Sequence, residues 1–159
     1  MENKTYMLDK VELAGYLIYK YNQKYNRRIS PVKLQKTLYL LFAMWGGNIK
    51  NMDFTQVELE QNFSEYLFGA NFEAWKYGPI DRDIYELFKQ DKIDEQQSLT
   101  SESDTVLSFI KDIYSQAFEV SDFALIDLVK QDFCWASRYN NGIYMSEEEI
   151  IEEYSLRLA

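Results

Sequence analysis

Few side chains in this sequence are equipped for chemistry. The single cysteine, Cys134, lies between Phe133 and Trp135, and apolar flanks of that kind fit a buried, inert thiol better than a nucleophile. Histidine is absent. That excludes Ser-His-Asp and Cys-His machinery of the usual kind, His-ligated zinc and a histidine pH switch. Carboxylates remain: Asp81 with Asp83, and Glu147, Glu148 and Glu149 followed by Glu152 and Glu153. Such oxygens suit a hard cation, and a carboxylate pair suits general acid–base work. Both groups fall where a helix is expected to begin, however, and acidic side chains stabilise the free amides of a first turn without any ligand. The six glycines are scattered and form no phosphate-binding loop. The expectation is a non-enzymatic protein with no catalytic residues, no metal site and no cofactor.

The elements that would position these residues are mostly helical. The chain of 159 residues is long enough for one domain with a real core, and its 47% hydrophobic and 16% aromatic content argues against disorder. Val11, Ala14, Leu17, Ile18 and Tyr21 recur at helical spacing within residues 8–25. Ser30-Pro31 then reads as a helix start, with Leu34, Leu38, Leu41, Phe42 and Trp45 on one face and Gly46-Gly47 as its end. Residues 52–63, MDFTQVELEQNF, read as either a helix or an extended segment, while the aromatics and Gly69 of YLFGANFEAW (66–75) suggest a short strand or a hairpin. Tyr77-Gly78-Pro79 reads as a turn that places Pro79 at the first position of the next helix, with Asp81 and Asp83 in its first turn.

Further along, Ser101 and Asp104 resemble a capping box that opens a helix bearing Val106, Leu107, Phe109, Ile110, Ile113, Tyr114 and Ala117. Ser121 is expected to cap another with Phe123, Leu125 and Leu128 inward, and Ser146 with Glu149 to open the last. The fold class expected is mainly α: a single compact domain over 1–159 of about six helices, with a short β-hairpin near residues 54–77.

Charge divides the chain. The net value is -9, yet residues 1–50 carry +6 and the remainder -15. A basic junction containing Lys20, Lys24, Arg27, Arg28, Lys33 and Lys36 could contact phosphates, which makes Arg27 and Arg28 the candidates for a nucleic-acid reading. The overall negative charge opposes that. The acidic part could instead mimic nucleic acid or answer a basic protein partner, with aromatic side chains supplying affinity. One cysteine permits no internal disulfide, no run is long and apolar enough for a membrane span, and MENKTYMLDK lacks the pattern of a signal peptide. A cytoplasmic location without membrane contact is expected.

Three segments together resemble the Panacea domain family, also known as SocA-like or phage-associated GepA-like. They are Arg28-Ile-Ser-Pro-Val-Lys-Leu-Gln-Lys-Thr-Leu-Tyr-Leu (28–40), Phe72-Glu-Ala-Trp-Lys-Tyr-Gly-Pro-Ile (72–80), and Leu128 through Trp135 with the helix from Ser146. The resemblance runs over roughly residues 6–159. The chain carries Lys130 where the family pattern leads us to expect histidine, and Cys134 where it leads us to expect proline.

The resemblance implies a helical antitoxin that neutralises a toxin by direct contact, in some cases as an adaptor to a protease. Its partner is then a protein, a toxin encoded next to it, with a host protease or defence nuclease as further partners. On the matched segments the candidate partner-binding residues are Lys33, Gln35, Lys36, Trp75, Tyr77, Lys130 and Trp135. The polar side chains of the second helix are available either for partners or for tying down the neighbouring turn. The aromatic-Gly-Pro corner is equally a means of reversing the chain. Two alternatives stand beside the antitoxin: a phage-encoded inhibitor of a host defence protein acting by acidic nucleic-acid mimicry, and a DNA-binding regulator using Arg27 and Arg28.

Overall fold

A computed structural model describes residues 4–52, 63–101, 103–140 and 143–159. Among them the chain forms seven helices and one two-stranded antiparallel sheet, a mainly α architecture. In order these are α1 (Lys10–Tyr25), α2 (Pro31–Asn51), β1 (Phe72–Trp75), β2 (Gly78–Asp81), α3 (Arg82–Lys89), α4 (Asp104–Glu119), α5 (Asp122–Val129), α6 (Phe133–Ala136) and α7 (Glu147–Leu158). The single-turn helix α6 goes beyond the six expected.

Helix starts follow local chemistry closely. Asp9, Ser30, Asp81, Ser103, Ser121 and Ser146 each turn a side-chain oxygen onto the backbone N–H three residues on, which satisfies an otherwise orphan donor. The α4 cap is therefore Ser103 and not Ser101, whose hydroxyl instead accepts from the Ser103 N–H.

The centre of the molecule is α2. Every residue from Lys33 to Ala43 is buried, and so are Trp45, Gly46, Gly47 and Ile49. A helix buried all round must pack on every side, and α2 touches α1, α3, α4, α5, α7 and β2. Its Phe42 packs against the rings of Phe68 and Phe72, which also meet each other. The expected end at Gly46-Gly47 is corrected: α2 continues to Asn51. The two glycines mark the crossing with α7. A Cβ on Gly46 would lie 2.5 Å from Ile151 Cγ1, and one on Gly47 2.8 Å from the Tyr154 backbone carbon. Close helix approach outweighs the roughly 1 kcal/mol that a helical glycine costs.

The expected hairpin is present and overlaps the end of its expected range. It occupies Phe72–Asp81, with Trp75 opposite Gly78 and Ala74 opposite Pro79, while residues 54–62 of the expected range lie outside the described residues. Pro79 is thus a strand residue, and α3 begins at Arg82 behind the cap Asp81. Segment 143–145 covers the outer edge of β1, through Ala74 N–H to the Ile143 carbonyl at 2.6 Å and Met145 N–H to the Phe72 carbonyl at 2.9 Å.

In α5 only Leu125 and Val129 are buried, whereas Phe123 is 83% exposed and Leu128 52% exposed. At 100° per residue, a stripe through Leu125 and Val129 leaves Phe123 on the opposite side of the helix. The expected inward face of Phe123, Leu125 and Leu128 is corrected accordingly.

Candidate functional site

The polar residues at the start of α2 are turned inward and hold the hairpin. The Gln35 side-chain amide donates to the Asp81 carbonyl at 3.1 Å and accepts from the Asp81 N–H at 2.8 Å. One turn's edge away, Lys36 Nζ donates to the Pro79 carbonyl at 3.0 Å. Together they cover the outer edge of β2 where a third strand would otherwise pair. Gly78 makes room for this. Its φ of 109° suits glycine alone, and a Cβ there would sit 2.9 Å from Val129 Cγ2 and 3.1 Å from Lys36 Cε. Lys36 is fully buried, and loss of solvent pushes its ammonium down to a pKa of about 7.

Above this brace lies an open groove of about 550 Å³. Its walls are the first turn of α2 (Pro31, Val32), the hairpin turn (Trp75, Tyr77) and α3 (Tyr85, Phe88). Trp75 meets Tyr85 edge to face at 4.8 Å and donates its indole N–H to Glu73. Tyr77 is 57% exposed. Three charged side chains line the groove, and all are lysines: Lys36, Lys76 and Lys89.

The remaining candidates fall around this groove or away from it. The Trp135 indole N–H donates to the Trp75 carbonyl at 2.8 Å, and Lys130 Nζ lies 5.3 Å from the Trp135 ring centre. Trp135 therefore braces the hairpin from behind, and Lys130 lies against Trp135. Lys33 is buried and directed elsewhere: it donates to the carbonyls of Phe118 and Val120 and lies 3.5 Å from Asp122. It closes the C-terminus of α4 and ties it to α5, as the macrodipole favours. The structure thus joins Gln35, Lys36, Trp75 and Tyr77 in one site and leaves Lys33 out of it.

Arg27 donates to the Tyr21 hydroxyl, while Arg28 lies over Phe88 at 4.3 Å and pairs with Asp91. With Lys33 and Lys36 buried, the six basic residues of the junction do not form one continuous surface.

A buried polar cluster escaped the sequence reading. Asp132 is fully buried and accepts from the hydroxyls of Tyr39 (2.6 Å) and Tyr154 (2.7 Å) and from Arg157 (3.0 Å). Glu153 accepts the Phe133 and Cys134 N–H groups at 2.9 and 2.7 Å and so caps α6 from another helix. The only sequence signal was Asp132 in the cap position before Phe133. Donor atoms of Asp132, Cys134 and Glu153 lie within 4.8 Å of one another, close enough for a cation. The group does not fit one. Arg157 bridges both carboxylates, the Tyr39 hydroxyl lies 3.3 Å from Cys134 Sγ, and burial drives the thiol pKa upward, away from the thiolate a metal needs.

The acidic clusters noted in the sequence are engaged as well. Lys10 joins Asp81 (3.0 Å) to Asp83 (2.6 Å), and Asp81 also accepts from the N–H groups of Asn71 and Ile84. Glu147 accepts from the Ala70 N–H and from Lys4. Each carboxylate ties together distant segments.

These features define a mainly helical domain whose small hairpin is held by side chains of a central helix and presents an aromatic groove. The chain belongs to the antitoxin SocA-like, Panacea domain family, whose pattern matches residues 49–136, more than half its length. The Phe72–Ile80 signature and the Leu128–Trp135 segment lie within that match, while the segment at 28–40 lies before it. No curated protein and no solved structure matches the chain significantly. The family gives an antitoxin-like role and with it a protein partner. Among the described residues no helix is long and apolar enough to cross a membrane.

Proposed function

We propose that this protein is a non-enzymatic antitoxin that neutralises a partner toxin by direct contact, and that the groove beside the hairpin is its contact surface. The observation that carries this reading is convergence. Gln35 and Lys36 on α2 meet Trp75 and Tyr77 on the hairpin around a single open, largely apolar groove. Exposed Tyr beside partly buried Trp is the residue chemistry of binding hot spots, and the volume is that of a pocket able to hold several side chains. The non-enzymatic part is supported by the protonated, hydrogen-bonded Cys134 thiol and by carboxylates committed to caps and ion pairs.

The interface expected on the acidic part of the chain moves in this reading to a groove edged by lysines. Co-expression with the neighbouring reading frame tests the proposal. The neighbour should arrest growth alone and be silenced by this protein, and Tyr77→Ala should lose the silencing while remaining folded. A neighbour that is harmless alone, or still lethal in its presence, overturns it.

A further inference from the structure

We infer that the groove receives an acidic amphipathic segment of its partner, in which bulky apolar side chains alternate with carboxylates; this rests on the groove being the partner-contact surface. Two observations fix the chemistry. The first is charge. The groove is lined by Lys36, Lys76 and Lys89 and by no carboxylate, and among the described residues none of the three makes an ion pair. What sets the groove apart is its sign: in a chain with 26 acidic against 17 basic residues, its lining carries only positive side chains. Lys76 lies over the Tyr77 ring at 5.5 Å and Lys89 over the Tyr85 ring at 5.7 Å, so both ammonium groups sit beside the groove's aromatic walls. A partner carboxylate would complete what the groove leaves open. Lys36 is fully buried and spent on the Pro79 carbonyl, so the charge available to a partner is that of the exposed Lys76 and Lys89 at the rim, which would steer the approach.

The second observation is the absence of a free backbone edge at the hairpin. Gln35 and Lys36 occupy the outer edge of β2, and segment 143–145 occupies that of β1. Strand addition is therefore closed to a partner. Recognition must run through side chains: apolar anchors between Val32, Tyr77, Tyr85 and Phe88, and acids on the lysines. The sequence of the occupant, and not its backbone alone, then decides binding.

The test is a titration of the ¹⁵N-labelled full chain with three blocked peptides of identical Leu/Phe spacing, whose intervening residues are Glu, Gln or Lys. The Glu peptide should shift the Trp75 indole and Tyr77 resonances, bind at least tenfold more tightly than the Gln peptide, and weaken as salt rises. The double change Lys76→Glu with Lys89→Glu alters two exposed, unpaired side chains and leaves the fold intact by circular dichroism. It should lose the Glu peptide by tenfold or more and gain the Lys peptide. Equal binding of Glu and Gln peptides, or affinity unmoved by the double change, overturns the inference. Growth rescue by the same double variant separates the two ideas. If the protein silences its neighbour and the double variant does so equally well, the occupant chemistry fails and the antitoxin reading stands. If peptides bind as expected and the neighbour is never silenced, the antitoxin reading fails alone.

Discussion

Gln35 and Asp81, forty-six positions apart, are joined as neighbouring strands would be: one amide side chain gives and takes both backbone hydrogen bonds of one residue, at 3.1 and 2.8 Å. The contact is buried, so neither partner could turn to water instead. It fixes β2 to α2 and, through the Asp81 cap, fixes the start of α3.

Replacing Gln35 by Met keeps the volume and removes both bonds, leaving the Asp81 N–H and carbonyl unsatisfied in the core. We expect a loss of about 2–4 kcal/mol in urea unfolding, given roughly 1–3 kcal/mol for each buried group left unpaired. Hydrogen exchange at Asp81 and Ile80 should accelerate more than at α7. A uniform change across the chain would show that the bond pair holds the whole fold and not the hairpin.

Lys36 yields a prediction in pH. Its folded pKa is held near 7 by burial, against 10.5 ordinarily, so between those values the unfolded chain binds the extra proton. Stability from this group therefore rises with pH across that window, by at most about 1.4 kcal/mol per pH unit. Below pH 7 both states are protonated and the full penalty of the buried charge is present. Lys36→Met should remove the dependence: the variant should be more stable than the parent at pH 7, with the gap closing toward pH 9.5. Chemical denaturation at several pH values reads this directly. A gap that is constant with pH would mean that the folded amine titrates as it does in the unfolded chain and so stays charged in the core across this range.

Much of this arrangement was legible in the sequence. Capping oxygens named helix starts at Ser30, Ser121 and Ser146, because a cap depends on neighbours three residues away. Tyr77-Gly78-Pro79 was recognisable as a turn for the same local reason, although the reversal itself lies one or two residues earlier, between Trp75 and Gly78. What escaped depended on distant chain. Gly46-Gly47 reads as a stop until α7 lies across it, Pro79 reads as a helix start until Ala74 pairs opposite it, and Lys33 and Lys36 read as surface charge until carbonyls 85 and 43 residues away accept from them. The groove itself was half legible: four of its lining residues were candidates, but Tyr85, Phe88 and Lys89 carried no signal beyond helical spacing.

The glycine crossing can be tested by opposing two effects. Gly47→Ala improves helix propensity by about 1 kcal/mol, yet its Cβ would lie 2.8–2.9 Å from the backbone of Tyr154 and Ser155. Backbone atoms cannot rotate away, so overpacking of roughly 1–3 kcal/mol should win and lower the melting temperature. Unchanged or raised stability would mean that α7 is free to slide on α2, and the Asn51–Ser155 bonds at its far end would then be expected to lengthen.

The cluster under α6 makes Cys134 a reporter of opening. The thiol is buried, its pKa is raised by that burial, and the Tyr39 hydroxyl lies against it, so an alkylating reagent at pH 8 should reach it only when α6 detaches from α7. Asp132→Ala removes the acceptor shared by Tyr39, Tyr154 and Arg157, leaving the buried Tyr154 hydroxyl without a partner and Tyr39 with the weak Cys134 sulfur alone, at a cost on the order of 3 kcal/mol. Where alkylation follows the population of the open form, that loss translates to an acceleration of about a hundredfold, since 1.4 kcal/mol is tenfold. Iodoacetamide labelling followed by mass spectrometry gives both rates. Rapid labelling of the parent would show that the thiol is accessible in the folded chain. Equal rates in parent and variant would show that Asp132 does not hold α6 in place.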